Sequence, residues 1–182
     1  TVTNDLAYMA LVQMLLPPGV ALLFVLLLIE PLHAAGMTTS VLWPHAWPVW
    51  AQAALMLLAA DFLRYWLHRA AHRYPPLWRL HAVHHSPDRL YWLNVGRFHP
   101  LEKALQMAFD TLPFMLLGVG AEVIALYFVF YAVNGFFQHS NIRMRFGWLN
   151  WLVSSAELHR WHHARQPEVS DHNFGNNLIV WD

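Results

Sequence analysis

From Leu6 to Ile29 the chain runs without a single charged residue, bracketed by Asp5 and Glu30. A helix needs about 20 predominantly apolar residues to cross a bilayer, and this run is long enough. It therefore reads as a transmembrane helix, with Pro17-Pro18-Gly19 expected to kink or break it. A cleaved signal peptide is the bland alternative; the missing basic lead-in and the length of the apolar run weigh against it. The rest of the chain agrees with a membrane setting, being 57% hydrophobic and 12% charged. An ordinary soluble domain is roughly 25% charged. A net charge of zero offers no field for nucleic acid, and the absence of Cys excludes disulfides and thiolate metal sites.

Beyond this run, residues 31–46 form a loop without Lys or Arg. A second helix is expected from Trp47 to Arg73, ended by Pro75-Pro76. Its first half is apolar, and its second half carries Asp61, Arg64, His68, Arg69 and His72. After a polar stretch at 77–103, the apolar block Ala104–Phe137 fits two short spans turning at Gly118–Glu122, with a re-entrant hairpin as the alternative. All 11 basic residues lie at or after Arg64, which puts the His-bearing segments in the cytoplasm and both uncharged loops outside. The expected fold is all-α: polytopic, with about four spans and a small cytosolic His-rich helical cap. We divide it into an amino-terminal helix and extracytoplasmic loop (1–46) and a His-bearing region (47–182). Lys103 is the one Lys among the basic residues, a bias typical of GC-rich bacterial genomes, so the expected location is a bacterial inner membrane. The chain opens at Thr1 and reads as a piece of a longer protein.

Thirteen His in 182 residues are the second outlier. They read His68-Arg-Ala-Ala-His72, His81-Ala-Val-His84-His85 and His159-Arg-Trp-His162-His163, with His99 and His139 between the last two clusters and His172 after them. On a helix, residues three or four apart share a face, so His68 and His72 can reach one metal together, as can His81 with His84 or His85, and His159 with His162 or His163. The adjacent pairs point about 100° apart, so one member of each can serve a first metal and the other a second. A lone HxxxH is weak and is commonly accidental. Three clusters on one side of the membrane, two of them HxxHH, are not. Imidazole alone does not choose among Zn, Cu, Fe and Ni. No His-Glu-x-x-His is present, and Glu157 is the only nearby carboxylate available to a zinc hydrolase as base. An all-nitrogen site beside a bilayer favours redox chemistry on an apolar substrate.

The ordered HxxxH, HxxHH and HxxHH set resembles the fatty acid hydroxylase/sterol desaturase superfamily of membrane di-iron enzymes. Supporting phrases are Asp61-Phe-Leu-Arg-Tyr-Trp-Leu-His68-Arg, Arg97-Phe-His99-Pro-Leu-Glu102, Gln138-His139-Ser-Asn141, and Asn173-Phe-Gly175 with Trp181-Asp182; together they cover about residues 50–182. The resemblance implies two Fe ions and O2-dependent hydroxylation or desaturation of a sterol, fatty acyl chain, ether lipid or carotenoid. Its ligands would be His68, His72, His81, His84, His85, His159, His162 and His163, completed by His139. His99 is a weaker candidate, and His172 falls where the family tolerates other residues. His33 and His45 lie on the opposite side of the membrane. Electrons would come from an external donor, ferredoxin or cytochrome b5-like with its reductase, because no flavin, nicotinamide or haem motif is present.

Metal-bound imidazoles give their other N–H to a carboxylate or carbonyl. Asp61, two helical turns before His68, is the leading candidate for that role, with an ion pair to Arg64 or another Arg as the alternative. Asn173 is a second candidate, and Asp171 and Asn141 are weaker ones. Glu102, just after Pro100, reads as a charge at a helix start. A competing function is a His-rich membrane metal-binding or transport protein. It would need polar residues along a path through the membrane, which Leu6–Ile29 does not supply.

Overall fold

The computed structural model describes residues 1–37 and 40–182; Thr38 and Thr39, in the uncharged 31–46 loop, lie outside the described residues. The described residues form helices and turns with no strand, and Val153 and Leu178 meet in one isolated antiparallel bridge. The main helices are α1 (Val2–Ala34), α2 (Val49–Arg73), α3 (Pro75–His85), α4 (Pro100–Leu116), α5 (Ala121–Gln138) and α6 (Ala156–His162). A single 3-10 turn, Trp92–Gly96, lies between α3 and α4.

The expected break at Pro17-Pro18-Gly19 does not occur. The helix widens into π geometry over Tyr8–Leu15, with Leu16 N–H bonding back to Leu11 C=O, and resumes as an α-helix at Leu16. The two prolines then fall in the first turn of the resumed segment, where their missing N–H groups cost least. Among the described residues, two helices, α1 and α5, are long and apolar enough to cross a membrane. Expected spans in α2 and α4 are less clear-cut: α2 carries Asp61 and Arg64 in its interior, and α4 has 17 residues with Glu102, Lys103 and Asp110 among them.

α2 is the hub of the bundle, packing against α3, α4 and α5, while the second half of α1 lies along α4. At one end Trp43, Met56, Ala60, Phe114, Val119, Val123 and Tyr127 form the apolar core. The α4–α5 turn closes that end through Gly118, whose φ of 69° suits glycine. Outward faces stay apolar: Leu11, Leu23 and Leu27 on α1, Leu58 and Phe62 on α2, and Val129 and Val133 on α5 are exposed. That is a surface for lipid rather than water.

The other end of the bundle is polar and holds the histidines. The first half of α1 packs on the Trp92–Gly96 turn, and a Cβ at Gly96 would sit 3.1 Å from Met9 Cα, so glycine permits the approach. Asp5, buried at 3% exposure, accepts from Arg97 Nε at 2.7 Å and from the Tyr91 hydroxyl, tying α1 to this polar end.

Candidate metal centre

Each histidine cluster takes its geometry from a helix end. α2 carries His68 and His72 in its last turns; α3, started by Pro75-Pro76, carries His81, His84 and His85; and α6, capped by the Ser155 hydroxyl on Leu158 N–H, carries His159 and His162, with His163 at its C-cap. His139 is the C-cap of α5. The nine side chains gather into two groups, one of His68, His72, His81, His85 and His162, the other of His84, His139, His159 and His163. Within each group the candidate ligand atoms all lie within 4.8 Å of one another.

The helical spacing decides the partition. His68 with His72, His81 with His85, and His159 with His163 stay together at i,i+4, while the adjacent pairs His84-His85 and His162-His163 are split between the groups. The two groups share a wall, with the His85 and His163 rings stacked at 4.3 Å.

The nitrogen arrangement fits cations. Nε2 atoms face one another at 3.0 Å (His68–His81), 3.1 Å (His81–His85), 3.0 Å (His139–His159), 3.1 Å (His159–His163) and 3.2 Å (His84–His163). The Nε2 atoms of His72 and His162 are buried with no partner among the described residues. Around an ion bound at about 2.1 Å, nitrogens at right angles are about 3.0 Å apart and those at the tetrahedral angle about 3.4 Å. The observed 3.0–3.2 Å contacts fall within that range.

Most of the Nδ1 atoms are engaged from behind. His68 Nδ1 bonds Phe174 C=O at 2.8 Å, His162 Nδ1 bonds His172 C=O at 2.9 Å, and His84 Nδ1 bonds Arg97 C=O at 3.3 Å. His139 Nδ1 bonds Asn94 Oδ1 at 2.8 Å, and His81 Nδ1 bonds Glu102 Oε1 at 2.5 Å. A carbonyl or carboxylate on Nδ1 fixes the tautomer that leaves the Nε2 lone pair pointing inward. Burial first, and neighbouring imidazoles second, hold His84, His159 and His163 well below the usual imidazole range. The same two causes act on His139 and His85 and bring His162 to about 3. Neutral imidazole is the form that binds a metal.

Several expectations about supporting residues change. Asp61 touches no histidine; its carboxylate accepts from Asn177 N–H at 3.0 Å, Asn177 Nδ2 at 2.8 Å and the Leu178 N–H. Nor does it pair with Arg64, which instead binds Asp110 at 2.6 Å. Asp61 therefore anchors the 172–178 segment whose carbonyls reach His68 and His162. Asn173 offers backbone rather than side chain: with φ at 58° it sits between the two residues of that segment whose carbonyls accept from the imidazoles, His172 and Phe174. Asn and Asp tolerate this left-handed region better than other residues with a Cβ.

The side chains of His99 and His172 lie outside both groups; His99 caps α4 through Leu101 N–H. His33 and His45 also lie outside them, and Asp171 and Asn141 are exposed. Glu157 accepts from Phe146 N–H and Asn150 Nδ2 and belongs to neither group. Glu102 and Asn94 were missed as imidazole partners. Glu102 comes from the first turn of another helix, and only the family-like phrase ending in it gave a hint.

A cavity of about 500 Å³ opens beside the centre. His68, His81, His84, His139 and His159 form part of its wall, and Met9, Met14, Leu67, Leu105 and Phe136 supply apolar surface.

An all-helical bundle with two adjoining polyhistidine groups able to hold metal, beside a largely apolar cavity, defines a His-rich, membrane-type class of fold. The chain belongs to the fatty acid hydroxylase family, whose sequence profile matches residues 53–182. It is 40% identical over 140 residues to the ornithine lipid hydroxylase OlsE of Rhizobium tropici, covering 77% of this chain and 42% of that protein. It is 31% identical over 140 residues to the alkylglycerol monooxygenase of Xenopus tropicalis, covering 77% of this chain and 30% of that protein. Similarity to the very-long-chain aldehyde decarbonylase GL1-8 of Oryza sativa subsp. indica is 27% over 150 residues, covering 81% of this chain and 55% of that protein. The chain thus spans less than half the length of the first two relatives. No solved structure matches it.

Proposed function

We propose that this chain forms the catalytic domain of a membrane di-iron oxygenase that uses O2 to hydroxylate or desaturate a lipid. The observation that carries the proposal is the pair of adjoining histidine groups facing a 500 Å³ cavity with apolar walls. Relatives named as hydroxylase and monooxygenase favour hydroxylation. The metal ligands proposed are His68, His72, His81, His85 and His162 for one ion, and His84, His139, His159 and His163 for the other. Bound there, two irons would supply the activation of O2 and the oxidation of an unactivated C–H bond.

The protein's own contribution is positional. Glu102, Asn94 and the carbonyls of Arg97, His172 and Phe174 hold five of the imidazoles in the tautomer that presents Nε2. The surrounding buried shell keeps water from the reacting centre. Met9, Leu67, Leu105 and Phe136 receive an alkyl chain and orient it toward the histidines. Electrons come from an external ferredoxin or cytochrome b5-like donor. In the arrangement we favour, α1, the first half of α2, α4 and α5 cross a bacterial inner membrane, and the histidine-bearing end faces the cytoplasm.

The test is metal analysis of the purified protein combined with lipid extraction from an expressing strain, with and without His84→Ala. Two irons per chain, and an oxygenated or unsaturated lipid that disappears in the variant, are expected. One zinc and an unchanged lipid profile would reject the proposal.

A further inference from the structure

Away from the metal centre, the histidine-bearing end carries a second cleft, of about 520 Å³ and open to the surface. Arg143, Arg145 and Arg160 line it, together with Met144, Trp161 and one carboxylate, Glu157. All three arginines are exposed. Arg160 donates from Nη2 to Ile142 C=O at 2.7 Å, and none of the three is in an ion pair among the described residues. Glu157 Oε2 accepts from Phe146 N–H and Asn150 Nδ2, each at 3.0 Å. Its charge offsets one arginine and leaves the cleft a surplus of two positive charges.

The position of the cleft narrows what can fill it. The Phe146 ring meets that of Phe137, in the last turn of α5, at 5.3 Å. The basic segment therefore sits at the end of a helix apolar enough to cross a membrane. From there the chain turns back along the bundle. Leu152 C=O accepts from Ile179 N–H at 3.1 Å, and Trp181 Nε1 donates to Leu58 C=O at 3.1 Å, well inside α2. Along this return Trp148 is 70% exposed and Trp151 80%, beside exposed Leu152. Indoles gather where hydrocarbon gives way to headgroups, and basic residues lie on the cytoplasmic side of that boundary. A soluble acidic partner would account for the arginines and leave Trp148 and Trp151 bare; a phospholipid accounts for both.

We infer that this cleft binds an anionic phospholipid, its phosphate held by Arg143, Arg145 and Arg160 and its acyl chains lying along the Trp148–Leu152 surface. Guanidinium groups match phosphate oxygens two at a time. The lipid also braces the metal centre from outside, because Arg160 and Trp161 lie between His159 and His162 on α6. This goes beyond the oxygenase reading and needs neither iron nor turnover.

The test titrates the purified chain in detergent with dioleoyl phosphatidylglycerol, dioleoyl phosphatidylcholine and inorganic phosphate, counting bound molecules by native mass spectrometry and following thermal melting. Each basic residue near an anionic lipid is worth about fivefold, so a surplus of two should favour phosphatidylglycerol over phosphatidylcholine about 30-fold. Phosphatidylglycerol should also raise the melting temperature more than phosphatidylcholine does. Arg143→Gln and Arg145→Gln, at exposed positions without ion pairs, should each cut the preference about fivefold and the double variant should abolish it. Arg165→Gln, at an exposed arginine outside the cleft, should leave it unchanged. Equal binding of the two lipids, an equal loss from Arg165→Gln, or displacement of the lipid by millimolar phosphate would overturn the inference. Binding of a hexaglutamate peptide without any lipid preference would give the cleft to an acidic protein instead and overturn it too.

Discussion

Replacing Glu102 should weaken one metal pocket and spare the other. Its Oε1 meets His81 Nδ1 at 2.5 Å, with side-chain exposures of 9% and 3%, so little solvent screens the pair. His81 belongs to the five-histidine group, and no member of the four-histidine group contacts a carboxylate among the described residues. Removing such an outer partner typically costs 10–100-fold in metal affinity, about 1.4–2.7 kcal/mol. Glu102→Gln keeps an acceptor oxygen and loses the charge, so about tenfold is expected; Glu102→Ala loses both and should approach 100-fold. The assay is chelator competition on the iron-loaded protein, followed by metal analysis, which should show one ion leaving early and one unaffected. Asn94→Ala provides the mirror experiment, because its Oδ1 holds His139 Nδ1 at 2.8 Å in the other group. If Glu102→Ala released both ions together, or neither, the assignment of Glu102 to one pocket would be wrong.

Asp61→Ala leaves the Asn177 and Leu178 N–H groups without their buried acceptor and should cost about 4 kcal/mol, against about 1–2 kcal/mol for Asp61→Asn. Thermal melting in detergent measures this, and an unchanged melting temperature for Asp61→Ala would contradict the anchoring role. Asn173→Gly should be close to neutral, whereas Asn173→Val, forced to a φ of 58°, should lower stability by at least about 1 kcal/mol and loosen the five-histidine pocket. Equal melting of the two variants would show that the backbone there is not constrained. For the metal-free chain, an unfolded imidazole titrates near about 6.5, whereas folded His162 titrates at about 3, so the unfolded state binds the extra proton between those values. Stability is therefore full above about pH 6.5 and falls with acidification; His162 alone should remove on the order of 2 kcal/mol between about pH 7 and about pH 5. A flat denaturation profile over that window would refute it.

The division of the histidines was legible because helical periodicity converts spacing into direction. HxxHH necessarily splits its last two residues, and the structure sends His85 and His162 one way and His84 and His163 the other. His139 had no such pattern around it and entered only through the family resemblance. The partners behind the rings were harder to see. Three are backbone carbonyls, which no side-chain identity announces, and Glu102 lies on a different helix, 21 residues from His81. At a helix start its charge already had an ordinary explanation. Asp61 was placed on the correct helix, but the seven-residue interval to His68 says nothing of what else packs on that face, and the 172–178 segment claims it. Pro17 and Pro18 do not interrupt α1. A helix absorbs missing N–H groups by widening its turns as well as by bending, and sequence does not choose between the two.

The segment around Asn173 also has a consequence for biosynthesis. His68 leaves the ribosome 106 residues before Phe174, the carbonyl that orients it, and His162 precedes its own support at His172 by 10. Chains grow at about 5–20 residues per second, so His68 waits at least about five seconds for its orienting carbonyl, and the pocket is incomplete for nearly all of that time because His162 comes so late. On the di-iron reading proposed above, iron capture would wait until translation has passed this segment.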